Sequence, residues 1–141
     1  MPQVPGLGSR DFFVPRQLYR DHVKNLARDV TTISYEEFAK VDLRSGTIVK
    51  IEPFQRAKKP AYKVWVDFGS EIGILQTSAQ ITVHYTPETL IGRVVIGCIN
   101  LGEKNIAGFT SQFLLVGFSD QNNAICLATI DHKVLNGEKM H

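Results

Sequence analysis

The chain has 141 residues, enough for one domain with a real core. Its 43% hydrophobic and 21% charged content is that of a globular protein. A formal net charge of +2 is too small to argue for nucleic-acid binding except through local patches, and no apolar stretch approaches the roughly 20 residues that span a bilayer, so no membrane insertion is expected.

In chain order, "MPQVPGLGSR" is rich in proline and glycine and reads as loose. Residues 1–20 lack the apolar block of a secretory signal, and Asp11 and Asp21 accompany the arginines of this region, so a cytoplasmic location is expected. "PRQLYRDHVKNLARDV" reads as a helix, with Pro15 in its first turn and Tyr19, Val23, Leu26 and Val30 on one face. That stripe needs a surface to pack on, in the domain behind it or in a partner subunit. A boundary near 34 separates this extension, 1–34, from a domain over 35–141. In "ISYEEF", Ser34 and Glu37 have capping-box spacing and Ile33 and Phe38 occupy staple positions, so a short helix is expected over Tyr35 to Ala39.

From Val41 the pattern changes to strands. Val41, Leu43, Thr47, Val49 and Ile51 share one parity, and Gly46 interrupts them as a glycine does at a bulge or barrel corner. In "AYKVWVDFG", Tyr62, Val64, Val66 and Phe68 alternate with Lys63, Trp65 and Asp67. "EIGILQTSAQI" is a third strand. "VHYTPETLIG" reads as short helical turns, with Thr86 as cap before Pro87. "RVVIGCIN", "FLLVGFS" and "AICLATI" complete about six strands, with "DQNN" (Asp120 to Asn123) as a hairpin turn and Asn136-Gly137 in a final loop. The expected fold is mainly all-β: a small closed barrel of the oligonucleotide/oligosaccharide-binding (OB) kind, with a short helical insert after the third strand and an N-terminal helical extension.

Catalytic patterns are missing from the sequence. The carboxylates are scattered, the four histidines fall in different segments, and there is no GxSxG, P-loop, GxGxxG or HExxH. A non-catalytic protein without cofactor or metal is expected. Cys98 and Cys126 lie in apolar runs and read as reduced core thiols. Cations recur beside strands and loops, at Arg44, Lys50, Arg56, Lys58, Lys59, Lys63, Arg93 and Lys104, with Tyr62, Trp65 and Phe109 as rings that can stack on bases. Tyr62 shares parity with core residues, however, and on the residues alone RNA binding and an ordinary charged surface both stay open. Thr77, Ser78 and Gln80 can donate to phosphates or cap the helical turn that follows.

"VDLRSGTIVKIEPF", "KKPAYKVWVDFG", "QTSAQIT", "LIGRVVIGCINLGEKNIAGFTSQFLLVG" and "NGEKM", in this order, resemble the tRNA-binding domain family, most closely its CsaA branch of secretion-associated chaperones. The resemblance runs from about Tyr35 to the C-terminus. It implies an OB barrel acting as a homodimer, tRNA binding, and, for the CsaA branch, capture of unfolded or precursor polypeptides. It assigns RNA contact to Lys59, Lys63, Ser78, Gln80, Asn100, Lys104 and Ser111; the neighbouring cations Arg44 and Lys58 are added to that set from the residues, and Trp65, Phe109 and Phe113, read as exposed by parity, are the candidates for polypeptide contact. Two departures from the synthetase-like branch, Pro60-Ala61-Tyr62 in the loop before the second strand and Ala107 in "KNIAG", place the chain nearer CsaA.

Overall fold

The computed structural model describes residues 31–141. The chain divides into two compact units, Met1–Val41 and Asp42–His141. The segment expected to be loose, 1–10, and the helix expected from Pro15 to Val30 lie outside the described residues. Within the first unit, helix α1 (Tyr35–Ala39) starts as its sequence predicts. The Glu37 N–H donates to the Ser34 hydroxyl at 3.1 Å, and the Ser34 N–H donates to the Glu37 carboxylate at 3.3 Å.

The second unit is built on strands β1 (Leu43–Pro53), β2 (Tyr62–Asp67) and β3 (Ile74–Ala79), then a single helical turn α2 (Pro87–Leu90), then β4 (Val94–Cys98). Five shorter strands follow: β5 (Lys104–Ile106), β6 (Phe109–Ser111), β7 (Leu114–Leu115), β8 (Gly117–Ser119) and β9 (Ile125–Leu127). The main sheet is antiparallel in the order β3-β2-β1-β4-β7, with β5-β6 and β8-β9 as separate hairpins. Its free edges come together where the Gln112 N–H donates to the Gln76 carbonyl at 2.8 Å and the Thr77 hydroxyl donates to the Phe113 carbonyl at 2.7 Å. The result is a nearly closed five-stranded barrel of the OB kind. Thr86 caps α2 ahead of Pro87, Asp120 to Asn123 turn between β8 and β9, and the helical insert follows the third strand, all as expected.

The strand count is higher than expected, because "FLLVGFS" divides into β7 and β8 and "INLGEKNIAGFTSQ" supplies the β5–β6 hairpin. The single inward parity expected along β1 also fails. Ile48 pairs with Val66 and Lys50 with Trp65, so Val49 is the extra residue of a bulge. Ile48 is therefore buried, whereas Val49 points out and Ile51 returns to the core. Gly46 is not the bulge; it is a point of close packing. A Cβ there would lie 2.4 Å from Val66 Cγ1 and 3.0 Å from the Phe68 ring, and a Cβ on Gly97 would lie 2.6 Å from Phe68 Cζ and 2.8 Å from Phe113 Cδ2. Both phenylalanines are fully buried and meet edge to face with centroids 5.0 Å apart.

The closing segment takes over the edge of β1 that β2 leaves uncovered. Ser45 donates its N–H to the Glu138 carbonyl (3.0 Å) and accepts from the Gly137 N–H (2.8 Å), and the Met140 N–H donates to the Leu43 carbonyl (2.8 Å). Gly137, at φ +89°, sits so close to Phe68 that a Cβ would be 2.5 Å from its carbonyl oxygen.

Gly97→Ala is expected to destabilise the domain by about 1–3 kcal/mol, because neither buried ring can move aside for the methyl. Urea unfolding followed by circular dichroism measures this; an unchanged midpoint would show that the rings repack freely.

Candidate nucleic-acid interface

The β1–β2 loop, residues 54–61, is cationic yet firmly held. Phe54 is buried and its N–H donates to the Ala61 carbonyl at 3.0 Å, which pins both ends of the loop and leaves Arg56, Lys58 and Lys59 exposed. Between residues 50 and 63 there are five cations and one carboxylate, Glu52, which pairs with Lys50 at 3.1 Å. The weak net charge of the whole chain thus conceals a local basic stretch.

Beside the loop is an aromatic strip. β2 alternates, so Val64 and Val66 face the core while Lys63 and Trp65 face outward. The Trp65 ring meets Phe109 at 5.9 Å, and Phe109 meets Phe54 at 5.5 Å, both edge to face. Lys63 Nζ lies 5.1 Å from the centroids of both Phe54 and Phe109, and Lys50 Nζ lies 4.6 Å over Trp65. The bulge at Val49 sets Lys50 opposite Trp65. The β5–β6 hairpin brings Phe109 here and is fastened to β3: Gln76 Nε2 donates to the Thr110 carbonyl at 2.9 Å, and the Ser78 N–H donates to the Ser111 hydroxyl at 3.0 Å. The hairpin turns through Ala107 and Gly108, both at positive φ.

The residues singled out from the sequence fall into separate groups. Lys63 stands at the strip and pairs across to Ser78, Lys58 and Lys59 are exposed in the loop that Phe54 anchors, and Gln80 is exposed just past the end of β3. Lys104 is part of the β5–β6 hairpin, paired across to Ser111. Ser111 is buried, and its hydroxyl is engaged with Ser78, so it fastens the hairpin and offers no surface. Thr77 likewise bonds the closing strand, so Thr86 alone caps α2. Arg44 and Asn100 lie at the other end of β1. Arg44 donates to Asp42 at 2.6 Å and to the Gly137 carbonyl at 2.9 Å, and the Asp42 hydrogen bond raises its already high pKa, so this guanidinium clamps the closing segment. The Asn100 side-chain oxygen accepts from the Asp42 N–H at 3.1 Å. Of the three aromatics assigned to polypeptide contact, Trp65 and Phe109 are partly exposed in the strip, but Phe113 is entirely buried against Phe68 and belongs to the core, against its expected exposure. Tyr62 packs on the core, as its parity required, and donates to the Tyr85 carbonyl. Phe54 was missed; an apolar residue inside the polar run "EPFQRAKK" is the one signal that marks it.

A second surface feature is an open groove of about 610 Å³ on the side of the closing segment, lined by Leu43, Ile96, Ile130, Val134, Leu135 and Met140 and by the polar and charged Arg44, Ser45, Lys133, Glu138, Lys139 and His141.

Residues 43–139 match a family model described as "Putative tRNA binding domain". Among solved structures, a CsaA chaperone protein from Picrophilus torridus superposes with a TM-score of 0.73 at 37% identity, covering 78% of this chain and 100% of that one. A chaperone CsaA from Bacillus anthracis gives the same TM-score and identity, with 79% and 100% covered. The methionine–tRNA ligase of Chlorobium chlorochromatii is 35% identical over 108 residues, 77% of this chain but only 15% of the ligase. The chain therefore matches about 15% of the length of that ligase.

Phe109→Ala is expected to uncover Trp65, the chain's one tryptophan, and to shift its emission to the red. The lost ring pairing costs about 0.5–1.5 kcal/mol. Emission spectra of the folded variant check this; an unshifted maximum would mean that Phe109 does not shield the indole.

Proposed function

Because the chain belongs to the tRNA-binding domain family, we propose that it is a non-catalytic module that binds tRNA, as a homodimer, through the basic loop and the aromatic strip. One observation carries this reading: Lys50 and Lys63 stand over the partly exposed rings of Trp65 and Phe109, which are backed by the buried Phe54, beside the exposed Arg56, Lys58 and Lys59. The cations suit phosphates, and the rings suit unstacked bases of a loop. Phosphate contact releases counterions, so affinity falls steeply with salt.

A second reading has a specific observation in its favour. The groove along the closing segment presents six apolar side chains, among them the 75% exposed Leu135, interspersed with polar and charged ones, and the structural neighbours described as CsaA are chaperones. An extended polypeptide or a second copy of the chain suits such a groove. Suppression of aggregation of a denatured client without RNA, followed by light scattering, supports the chaperone reading; unchanged scattering at several-fold excess rejects it.

For the tRNA reading, the Lys58→Glu/Lys59→Glu double variant is expected to bind tRNA more weakly irrespective of its sequence, and to lower the slope of log affinity against log salt by about 1 per lysine. Filter binding at several salt concentrations measures this. Equal affinity and slope for variant and wild type would remove the loop from the interface.

A further inference from the structure

Away from the strip, three side chains with metal-ligating atoms converge. His84 precedes α2, Asp120 begins the β8–β9 turn and Cys126 lies in β9. The imidazole nitrogen, a carboxylate oxygen and the thiol sulfur all lie within 4.8 Å of one another. We propose that His84, Asp120 and Cys126 form a binding site for a divalent late transition-metal ion, Zn²⁺ being the cation best suited to this nitrogen, oxygen and sulfur set.

The surroundings hold each ligand in place. Asp120 Oδ1 accepts from the Asn122 and Ala124 N–H groups at 2.8 and 3.0 Å, which turns Oδ2 toward His84 Nε2 at 2.6 Å. The neighbours of the other two ligands are joined as well: the Leu127 N–H donates to the Tyr85 hydroxyl at 2.9 Å, which docks the His84–Tyr85 segment against Cys126–Leu127. His84 and Asp120 are partly open to solvent, so an ion has a way in.

The geometry needs little adjustment. Zinc bonds of about 2.0–2.3 Å in a tetrahedron place ligand atoms roughly 3.4–3.6 Å apart. The carboxylate and imidazole then separate by about 0.8 Å, and the thiol moves by about an ångström, within reach of side-chain rotation. The thiol loses its proton to solvent as the metal–sulfur bond forms, His84 gives up the Nε2 proton it shares with Asp120 and carries its ring proton on Nδ1, and a fourth coordination position stays open. Thiolate with imidazole favours Zn²⁺ or Co²⁺ over Mg²⁺ or Ca²⁺, which take oxygen. A bound ion cross-links the segment before α2 to the last hairpin.

The test is a Co²⁺ titration of the metal-free full chain in a non-chelating reductant. One equivalent is expected to bind with a near-ultraviolet thiolate-to-cobalt absorption and the visible bands of a tetrahedral ion, both lost when Zn²⁺ is added. Cys126→Ser is expected to abolish the near-ultraviolet band. His84→Ala and Asp120→Asn should each weaken binding by more than the about 10–100-fold that loss of an outer-shell partner costs; the amide introduced by Asp120→Asn keeps an oxygen to cap the turn. Zn²⁺ should raise the Tm of the wild type and leave that of Cys126→Ser unmoved. A wild-type spectrum without thiolate absorption overturns the site and assigns any binding to surface groups such as the exposed Asp131–His132 pair. A band that persists in Cys126→Ser also overturns it.

Discussion

The barrel depends on one close approach, the seating of the Phe68 ring at the end of β2 against backbone that carries no side chain. Gly46 of β1 and Gly97 of β4 leave the space its ring fills, and Gly137 lets the closing segment pass directly over its carbonyl. A large apolar group contributes most when it is wholly removed from water, and Phe68 achieves that only because three separate pieces of chain come within contact of it. β2 reads in alternation, so the register that drives Phe68, Val66 and Val64 inward also presents Trp65 and Lys63 outward. Core packing and the candidate interface are two faces of a single strand.

The interface is assembled from parts that would be weak alone. Lys63 stands over Phe54 and Phe109, and Lys50 stands over Trp65 while pairing with Glu52, so ring contacts hold both cations against the barrel. The bulge at Val49 matters here because it rotates β1 enough to set Lys50 over Trp65 while Ile48 stays in the core. At the far end of β1 the same residue types serve the fold. Arg44, flanked by Asp42 and the Gly137 carbonyl, directs its charge to holding the C-terminal segment in place. Arg44 and Lys50, two cations of one strand, therefore have different surroundings: Arg44 is held by Asp42 and a backbone carbonyl, and Lys50 by Glu52 and the Trp65 ring.

What the sequence revealed follows the range of the interaction involved. α1, the Thr86–Pro87 helix start, the Asp120 turn and the inward side of Tyr62 depend on neighbours within a few residues, and all were legible. The bulge was not, because Val49 differs from its neighbours only in its pairing with β2. The β5–β6 hairpin was hidden because its two-residue turn uses Ala107, at φ +50°, where Asn would have announced it. Ser111 and Phe113 face inward only because the sheet closes between β3 and the segment after β6, a contact between residues 33 to 36 positions apart. The same distance in sequence concealed His84, Asp120 and Cys126, and with them the partial exposure of a thiol that its apolar run placed in the core.

The central claim is that tRNA lies across the strip formed by Trp65, Phe109 and Lys63. Trp65 is the chain's only tryptophan, so its emission reports on that surface alone. Titration with folded tRNA at low salt should change the intensity or wavelength of Trp65 emission in a saturable way, and the change should reverse as salt is raised. Saturable binding of tRNA, seen by filter retention, with Trp65 emission unaltered throughout would place the RNA elsewhere and contradict the account.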